Sequence, residues 1–467
     1  MKGTITTMIK KTICFMLVCA LLLPLGSCKR DKDGDGSSGG RNVATYSLDV
    51  QWLDIDMPNE FNEGIAAVFS EENWGYIDAA GEPVTPFTFE YAGPFIGGVA
   101  VVAIMVPGEA DEEVPVYGLI GRDGEAVAAL EYHYFGEFFD GLAVVGIEGK
   151  YGAVEGTYDE FGYLEGFDGE FGYRFGYMNR AGELVAPLQY IEAHDFAEGL
   201  AVVAAEYDLF GYIGTTGETA IAPEYQHAFS FSEGLGLVVS DGKNGFIDAS
   251  GNVAIPFEYD YASSFSEGLA AAAKQMDSGM MYGYIDKTGK TIIPFGFEDA
   301  HDFSNGAALV MEAGGAGYSF IDKTGNVIAR NDDYVEIRDF SEGLAAVRSL
   351  GERKWGFIDN TGNIAIPCIY EWVGEEGFSG GLALVKDNNK WGFIDKSGEV
   401  AVRIGFDALH EFVGDYAIAV IDRKYGMIDK SGNEAVPFEF ELIAYIGDGR
   451  AFIQDGDTWG IIEIARE

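Results

Sequence analysis

The residues able to do chemistry in this 467-residue chain are abundant in one class and sparse in the others. There are 76 Asp and Glu residues against five His and four Cys. Three of the histidines, His194 and His301 in HDF and His410 in HEF, hold one place in a repeated phrase, two residues before a Phe. Other copies carry Ser263, Arg338 or Glu376 there, so the position reads as a variable exposed loop and not as a shared metal or catalytic site. No HExxH string occurs and no Ser or Cys has a dedicated histidine partner, which leaves zinc and nucleophilic chemistry without their parts. The stretch 29–43, KRDKDGDGSSGGRNV, contains fragments of a phosphate loop (Gly34, Gly36, Gly39), of a nucleophile elbow (36–40) and of an EF-hand (Asp31, Asp33, Asp35). None has the strand or helix it needs, and the EF-hand's twelfth position is Asn42 where a bidentate Glu is required.

Carboxylate pairs carry little information at this acid density. The recurrent Glu of phrases such as FSEGL (Glu63, Glu198, Glu233, Glu267, Glu342) would form a ladder in a stack. It reads first as a turn residue on a solvated face, and second as a source of weak calcium binding between neighbouring carboxylates. No other cofactor and no metal site is expected. The formal charge of −46 repels phosphate backbones and argues against nucleic acid as a partner. With 48% hydrophobic and 14% aromatic residues the chain is nevertheless a folded protein and no disordered acidic tail.

Two phrases alternate along the chain, one like FSEGLAAV and one like KWGFIDKSG, with eleven members in each series. From the glycine of the second phrase to the EG position of the next, the step is 23 in eight of ten copies, with 24 from Ser319 to Gly343 and 25 from Gly356 to Gly381. Gly75 to Gly98, Gly211 to Gly234 and Gly426 to Gly449 are each 23 positions apart. The return step varies, from 11 between Gly64 and Gly75 to 35 between Gly141 and Gly176. Both phrases are short, rich in β-branched and aromatic residues and bounded by turn residues, so each predicts a strand. Asp248, Asp286, Asp322, Asp359, Asp395 and Asp429 precede a glycine by three, the pattern of a turn in which Asp bonds its own backbone and Gly takes a positive φ. A third strand follows, as in 363–372, and its proline (Pro187, Pro223, Pro256, Pro294, Pro367, Pro437) marks a sheet edge or strand end. The glycine after the aromatic lets a neighbouring ring lie over bare backbone. These phrases are therefore hairpin and packing modules.

All large insertions fall in the variable step. The second unit contributes 106–115, and the third contributes 155–174, EGTYDEFGYLEGFDGEFGYR. The latter reads as a protruding hairpin with Tyr158, Phe161, Tyr163, Phe167, Phe171 and Tyr173 interleaved with acids, a combination suited to sugar faces or to a cationic protein surface.

The phrases KWGFIDNTG (354–362), KWGFIDKSG (390–398) and KYGMIDKSG (424–432) resemble the bacterial WG (KWG) repeat family of tandem β-repeats. The resemblance is carried by Trp74-Gly75, Trp355-Gly356, Trp391-Gly392 and Trp459-Gly460, with Tyr or Phe replacing Trp elsewhere. It implies a repeat scaffold and brings no catalytic residues. Residues 1–27, with Lys2, Lys10 and Lys11 ahead of an apolar run, have the form of a secretory signal. They end on LGSC, which resembles the lipobox of bacterial lipoproteins and makes Cys28 the expected lipid site.

The expected organisation is a lipoprotein signal (1–27), a flexible tether (28–45) and an all-β tandem array of about eleven three-stranded antiparallel repeats (46–467). An open, curved, solenoid-like array is favoured, with one propeller or two as the alternative. The expected protein is a monomeric, non-enzymatic scaffold, held by its lipid at the outer membrane and facing the periplasm or the cell surface. Its expected partner is an envelope protein or a glycan. The alternatives are an enzyme of glycans or peptidoglycan using repeat carboxylates, and a purely structural envelope protein.

Overall fold

The computed structural model describes residues 50–464, apart from 109–111, 150–156, 159–163, 166–171, 207–208, 315–316 and 331–332. The expected signal and tether, with the expected lipid site Cys28, lie outside the described residues. Every regular element among those described is a β-strand, and residues 48–467 form one compact body. The tandem all-β array is thus as the sequence predicts. Units are numbered here by their WG position, from Gly75 in the first to Gly460 in the eleventh, with Ser319 in the seventh.

The fifth unit shows how the phrases fold. Strands His227–Ala228, Gly236–Ser240, Lys243–Ile247 and Val253–Tyr259 lie side by side in that order, all antiparallel. The Oδ1 of Asp248 accepts the N–H groups of Ser250 and Asn252, both at 2.9 Å, while Gly251 adopts φ +80° and donates to the Asp248 carbonyl. This is the local turn expected from the Asp and Gly spacing. Between the pairs Asn244↔Tyr259 and Phe246↔Ile255 the last strand carries extra residues, among them Pro256. The proline sits in a bulge on the edge strand, where its missing N–H costs no ladder bond. The bulge presses onto the WG glycine. A Cβ on Gly245 would lie 2.6 Å from the ring of Phe257, and one on Gly356 would lie 2.5 Å from the carbonyl oxygen of Ile366. Glycine is required there because the neighbouring strand occupies the space, sometimes with a ring and sometimes with its own backbone.

Most units have four strands, which corrects the expected three; the first keeps three, and the sixth and seventh share one seven-stranded sheet. The additional strand runs from two residues, as in His227–Ala228, to eight, as in Trp372–Ser379. It follows the proline strand of the preceding unit after a single bend residue, as Gln226 separates Tyr225 from His227. The segment 363–372 therefore belongs to two sheets, with Ile364–Tyr370 closing one unit and Trp372–Ser379 opening the next.

Each hydrophobic cluster is shared by consecutive units. Val202, Tyr212, Ile221 and Tyr225 of the fourth pack with Ala228, Phe231, Val238 and Ile247 of the fifth. Central strands are accordingly buried on both faces, as in Leu200–Glu206. Where the GFID aromatic is Tyr, its buried hydroxyl finds a carbonyl 17 positions on. Tyr76 donates to Gly93, Tyr177 to His194, Tyr212 to Phe229 and Tyr284 to His301, at 2.6–2.8 Å.

The two ends of the array meet. Gln51–Leu53 pairs with Thr458–Glu463 and supplies the fourth strand of the last sheet. Phe61, Ala66, Val68 and Ile77 of the first unit share a core with Phe452, Trp459 and Ile461 of the last. The favoured open arrangement does not describe these ends, which meet as in the closed alternative, because a lone terminal unit would leave both an apolar face and a sheet edge uncovered.

Candidate binding surface

The FSEGL phrase joins units. Its Glu and Gly take φ values of +54° and +87° at Glu233-Gly234, a two-residue turn of the primed type. Such a turn prefers Asn or Asp at its first position, and Glu is used here for its reach. The Glu198 carboxylate accepts the N–H groups of Glu233 and Gly234 in the next unit, at 2.7 and 2.8 Å. Glu233, Glu267 and Glu342 accept in the same way from Gly268, Gly306 and Gly381. Their carboxylates also pair with Lys287, Lys323 and Lys396, at 2.9, 3.1 and 2.9 Å. The preceding Ser donates to the next unit's Phe carbonyl, as Ser232 does to Phe265 at 2.7 Å. Lys287 holds the Glu233 carboxyl below its usual range, and Lys396 does the same for Glu342. The turn reading of these glutamates is right and the solvated-face reading is incomplete, since they clasp neighbouring units. Among the described residues no group of three or more His, Cys, Asp or Glu is placed to hold a metal ion.

The histidines of the shared position differ. His194 and His301 are exposed and face Glu192 and Asp299, at 2.8 and 3.4 Å. His410 is partly buried, and burial lowers its pKa, which corrects the expectation of exposure at that copy. Beside it, Glu411 has one oxygen buried with no hydrogen-bond partner, and burial followed by Glu376 pushes its carboxyl up to about 7.

The WG tryptophans are packing residues. Trp355 is buried beneath the guanidinium of Arg338 at 4.2 Å. Trp391 is half-buried and meets Trp372 edge-on at 5.1 Å. Trp459 is buried at the closure and donates through Nε1 to the Asp56 carbonyl at 3.1 Å. Trp74 is half-buried against Phe69.

A different group of rings is open to solvent. In the second unit Tyr91 meets Tyr117 at 6.3 Å, and in the third Tyr134 meets Phe175 at 5.7 Å, with Tyr173 stacked on Phe175 at 5.7 Å. Tyr91, Tyr134 and Tyr173 are 48%, 45% and 39% exposed. Burial raises the Tyr91 hydroxyl, with Tyr117 and Glu137 adding to it; for Tyr134 the second cause is Asp195, and for Tyr173 it is Glu148. Each exposed ring therefore has a carboxylate within electrostatic reach.

Tyr173 stands at the base of the 155–174 insertion. The strands Leu142–Gly149 and Gly172–Asn179 remain paired out to Gly149↔Gly172, and the insertion is carried at the end of that pair. Of its rings, Tyr158 lies in the short strand Thr157–Tyr158, paired with Leu164–Glu165. Phe161, Tyr163, Phe167 and Phe171 lie outside the described residues. Tyr91, Tyr117, Tyr134 and Phe175 were not singled out by the sequence, though Tyr91 and Tyr134 each precede a glycine by two, and each ring lies over that glycine.

The fold defines a tandem β-repeat protein, and its second and third units add solvent-open rings to the scaffold. The chain belongs to the family described as WG containing repeat. Ten segments match it, at 74–104, 117–151, 175–204, 210–243, 245–275, 282–315, 318–351, 355–391, 391–425 and 425–459. No curated protein sequence matches the chain significantly. Among solved structures the chain is similar to the tricorn protease, at 11% identity over 88% of this chain and 61% of that one, with a TM-score of 0.20. It is also similar to Hsv2p of Kluyveromyces lactis (12%, 48% and 86%, 0.23) and to AztD of Citrobacter koseri (12%, 76% and 95%, 0.27). At these values the likeness bears on neither mechanism nor partner.

Proposed function

We propose that the protein is a lipid-anchored, exported, non-enzymatic scaffold that binds an envelope partner, protein or glycan, through the ring face of its second and third units. The observation that carries this reading is the set of solvent-open rings, Tyr91, Tyr134 and Tyr173, paired with Tyr117 and Phe175 and each within electrostatic reach of a carboxylate. Rings at the surface of a folded protein favour binding, because they offer large rigid contact area at little entropic cost. The non-enzymatic reading is supported by the repeat glutamates, which are engaged by amides and ammonium groups of the next unit and are not poised to move protons. Anchoring rests on the lipobox-like LGSC ending at Cys28.

A photo-crosslinking residue at position 134 of the full chain, in intact cells, is expected to capture one envelope partner. The same residue at the exposed Leu350 is expected to capture none. Equal capture at both positions, or none at 134, contradicts the reading. Cys28→Ser is expected to abolish fatty-acid labelling and release the protein from the membrane fraction; unchanged labelling contradicts the anchor.

A further inference from the structure

We propose that the ring face of the second and third units receives arginine or lysine side chains of a protein partner. The proposal rests on the binding reading above and names the chemistry of the partner. It comes from comparing equivalent positions within this one chain.

In the ninth unit a strand-one ring, Trp372, and the WG ring, Trp391, flank one residue of the second strand. That residue is Lys386, paired in register with both. Its ammonium lies 5.1 Å from the centre of the Trp391 ring. In the eighth unit the WG ring, Trp355, is covered by Arg338 at 4.2 Å and approached by Arg348 at 5.9 Å. Arg348 is the second-strand residue paired with Trp355. At these sites the repeat supplies its own cation to its own ring, an arrangement that stabilises by ring quadrupole and charge.

The second and third units keep the rings, with Ala103 and Gly146 where the ninth unit has Lys386. Tyr91 and Tyr117 flank Ala103, and Tyr134 and Phe175 flank Gly146, in the register that places Lys386 between its tryptophans. Among the described residues, no Lys or Arg lies over any of these four rings or over Tyr173. Glu137, Glu148 and Asp195 act on the tyrosines of the same face. Negative ring faces with carboxylates beside them, in a chain of charge −46, are complementary to a guanidinium or ammonium. A neutral glycan would use the rings and donate hydroxyls to the carboxylates, but would leave their charge uncompensated.

The test titrates the full chain with an Arg-Gly repeat peptide and, separately, with the neutral oligosaccharide chitohexaose, at about 0.15 M salt to suppress long-range attraction. Replacing Tyr91 and Tyr134 by Leu leaves the net charge unchanged and is expected to weaken peptide binding about tenfold or more. Tyr134→Phe keeps the ring and is expected to retain binding. Ala103→Lys, which imports the ninth unit's solution, is expected to compete with the peptide and lower its affinity. Peptide binding that is indifferent to the Leu substitutions is bulk electrostatics and overturns the proposal. Chitohexaose binding that is lost on those substitutions, without peptide binding, overturns the cationic assignment while preserving the binding surface. If neither probe binds, the assignment is overturned, and the crosslinking at position 134 then decides the broader reading by itself.

Discussion

Asp448 of the last unit accepts the backbone N–H of Gly64 in the first, at 2.6 Å, across 384 positions of sequence. The contact repeats what Glu198 does for Gly234 one unit along. The carboxylate clasp that joins consecutive units thus also joins the two ends.

The closure predicts cooperative stability. Trp459→Ala removes a buried ring and orphans the Asp56 carbonyl, and is expected to cost about 3–5 kcal/mol. Removing the strand Gln51–Leu53 is expected to lower the melting transition and to split it, as an exposed sheet edge lets the last units open first. A sharp, unshifted transition would show that the ends do not support one another.

The WG rings should differ in importance according to burial. Trp355→Ala is expected to destabilise by about 3–5 kcal/mol, and the half-buried Trp391→Ala by about half as much. Trp391→Phe keeps the packing with Trp372 and should cost less than about 1.5 kcal/mol. Denaturant unfolding reads all three.

The clasp has a pH signature. The folded carboxyls of Glu233 and Glu342 lie below their ordinary value, so they contribute stability above the unfolded pKa and lose it as pH falls through the folded one. Glu342→Gln is expected to cost about 0.5–1.5 kcal/mol at pH 7. The difference from the parent should vanish below pH 3. A cost that persists there would assign the effect to shape and not to charge.

Glu411 has the opposite sign. Its folded value of about 7 exceeds the ordinary 4.5, so the folded state keeps a proton that the unfolded state releases between the two. Ionisation then weakens the fold as pH rises through that window. Glu411→Gln is expected to raise stability above pH 7 by about 1–2 kcal/mol and to change little below pH 4.5. Thermal melts at pH 4 and pH 8 separate the two outcomes.

What could be read from the sequence was local. Asp248 and Gly251 specify their turn within five residues, and the WG glycine declares a close approach before the bulge at Pro256 is seen. The two-residue strand His227–Ala228 shows no periodicity, and one bend residue hides it behind the strand before it. Closure depends on Gln51 meeting Ile461, a pairing that no local pattern encodes. Glu233 was legible as a turn residue, but its grip on Gly268 requires knowing which unit comes next in space. The ring pairs Tyr91–Tyr117 and Tyr134–Phe175 join residues 26 and 41 positions apart, and only the sheet register brings them together.

The central claim is that scaffold and binding face are separate within each unit. It is tested most directly by replacing 155–171, the part of the insertion ahead of the strand Gly172–Asn179, with a short turn, since the hairpin beneath then stays paired to Gly149↔Gly172. Melting and the β-sheet spectrum are measured together with capture of the partner crosslinked at position 134. The account predicts an unchanged transition and weakened capture, with capture weakened further when Tyr91 is also changed to Leu. Collapse of the fold on replacing the insertion, or full capture after both changes, would contradict it.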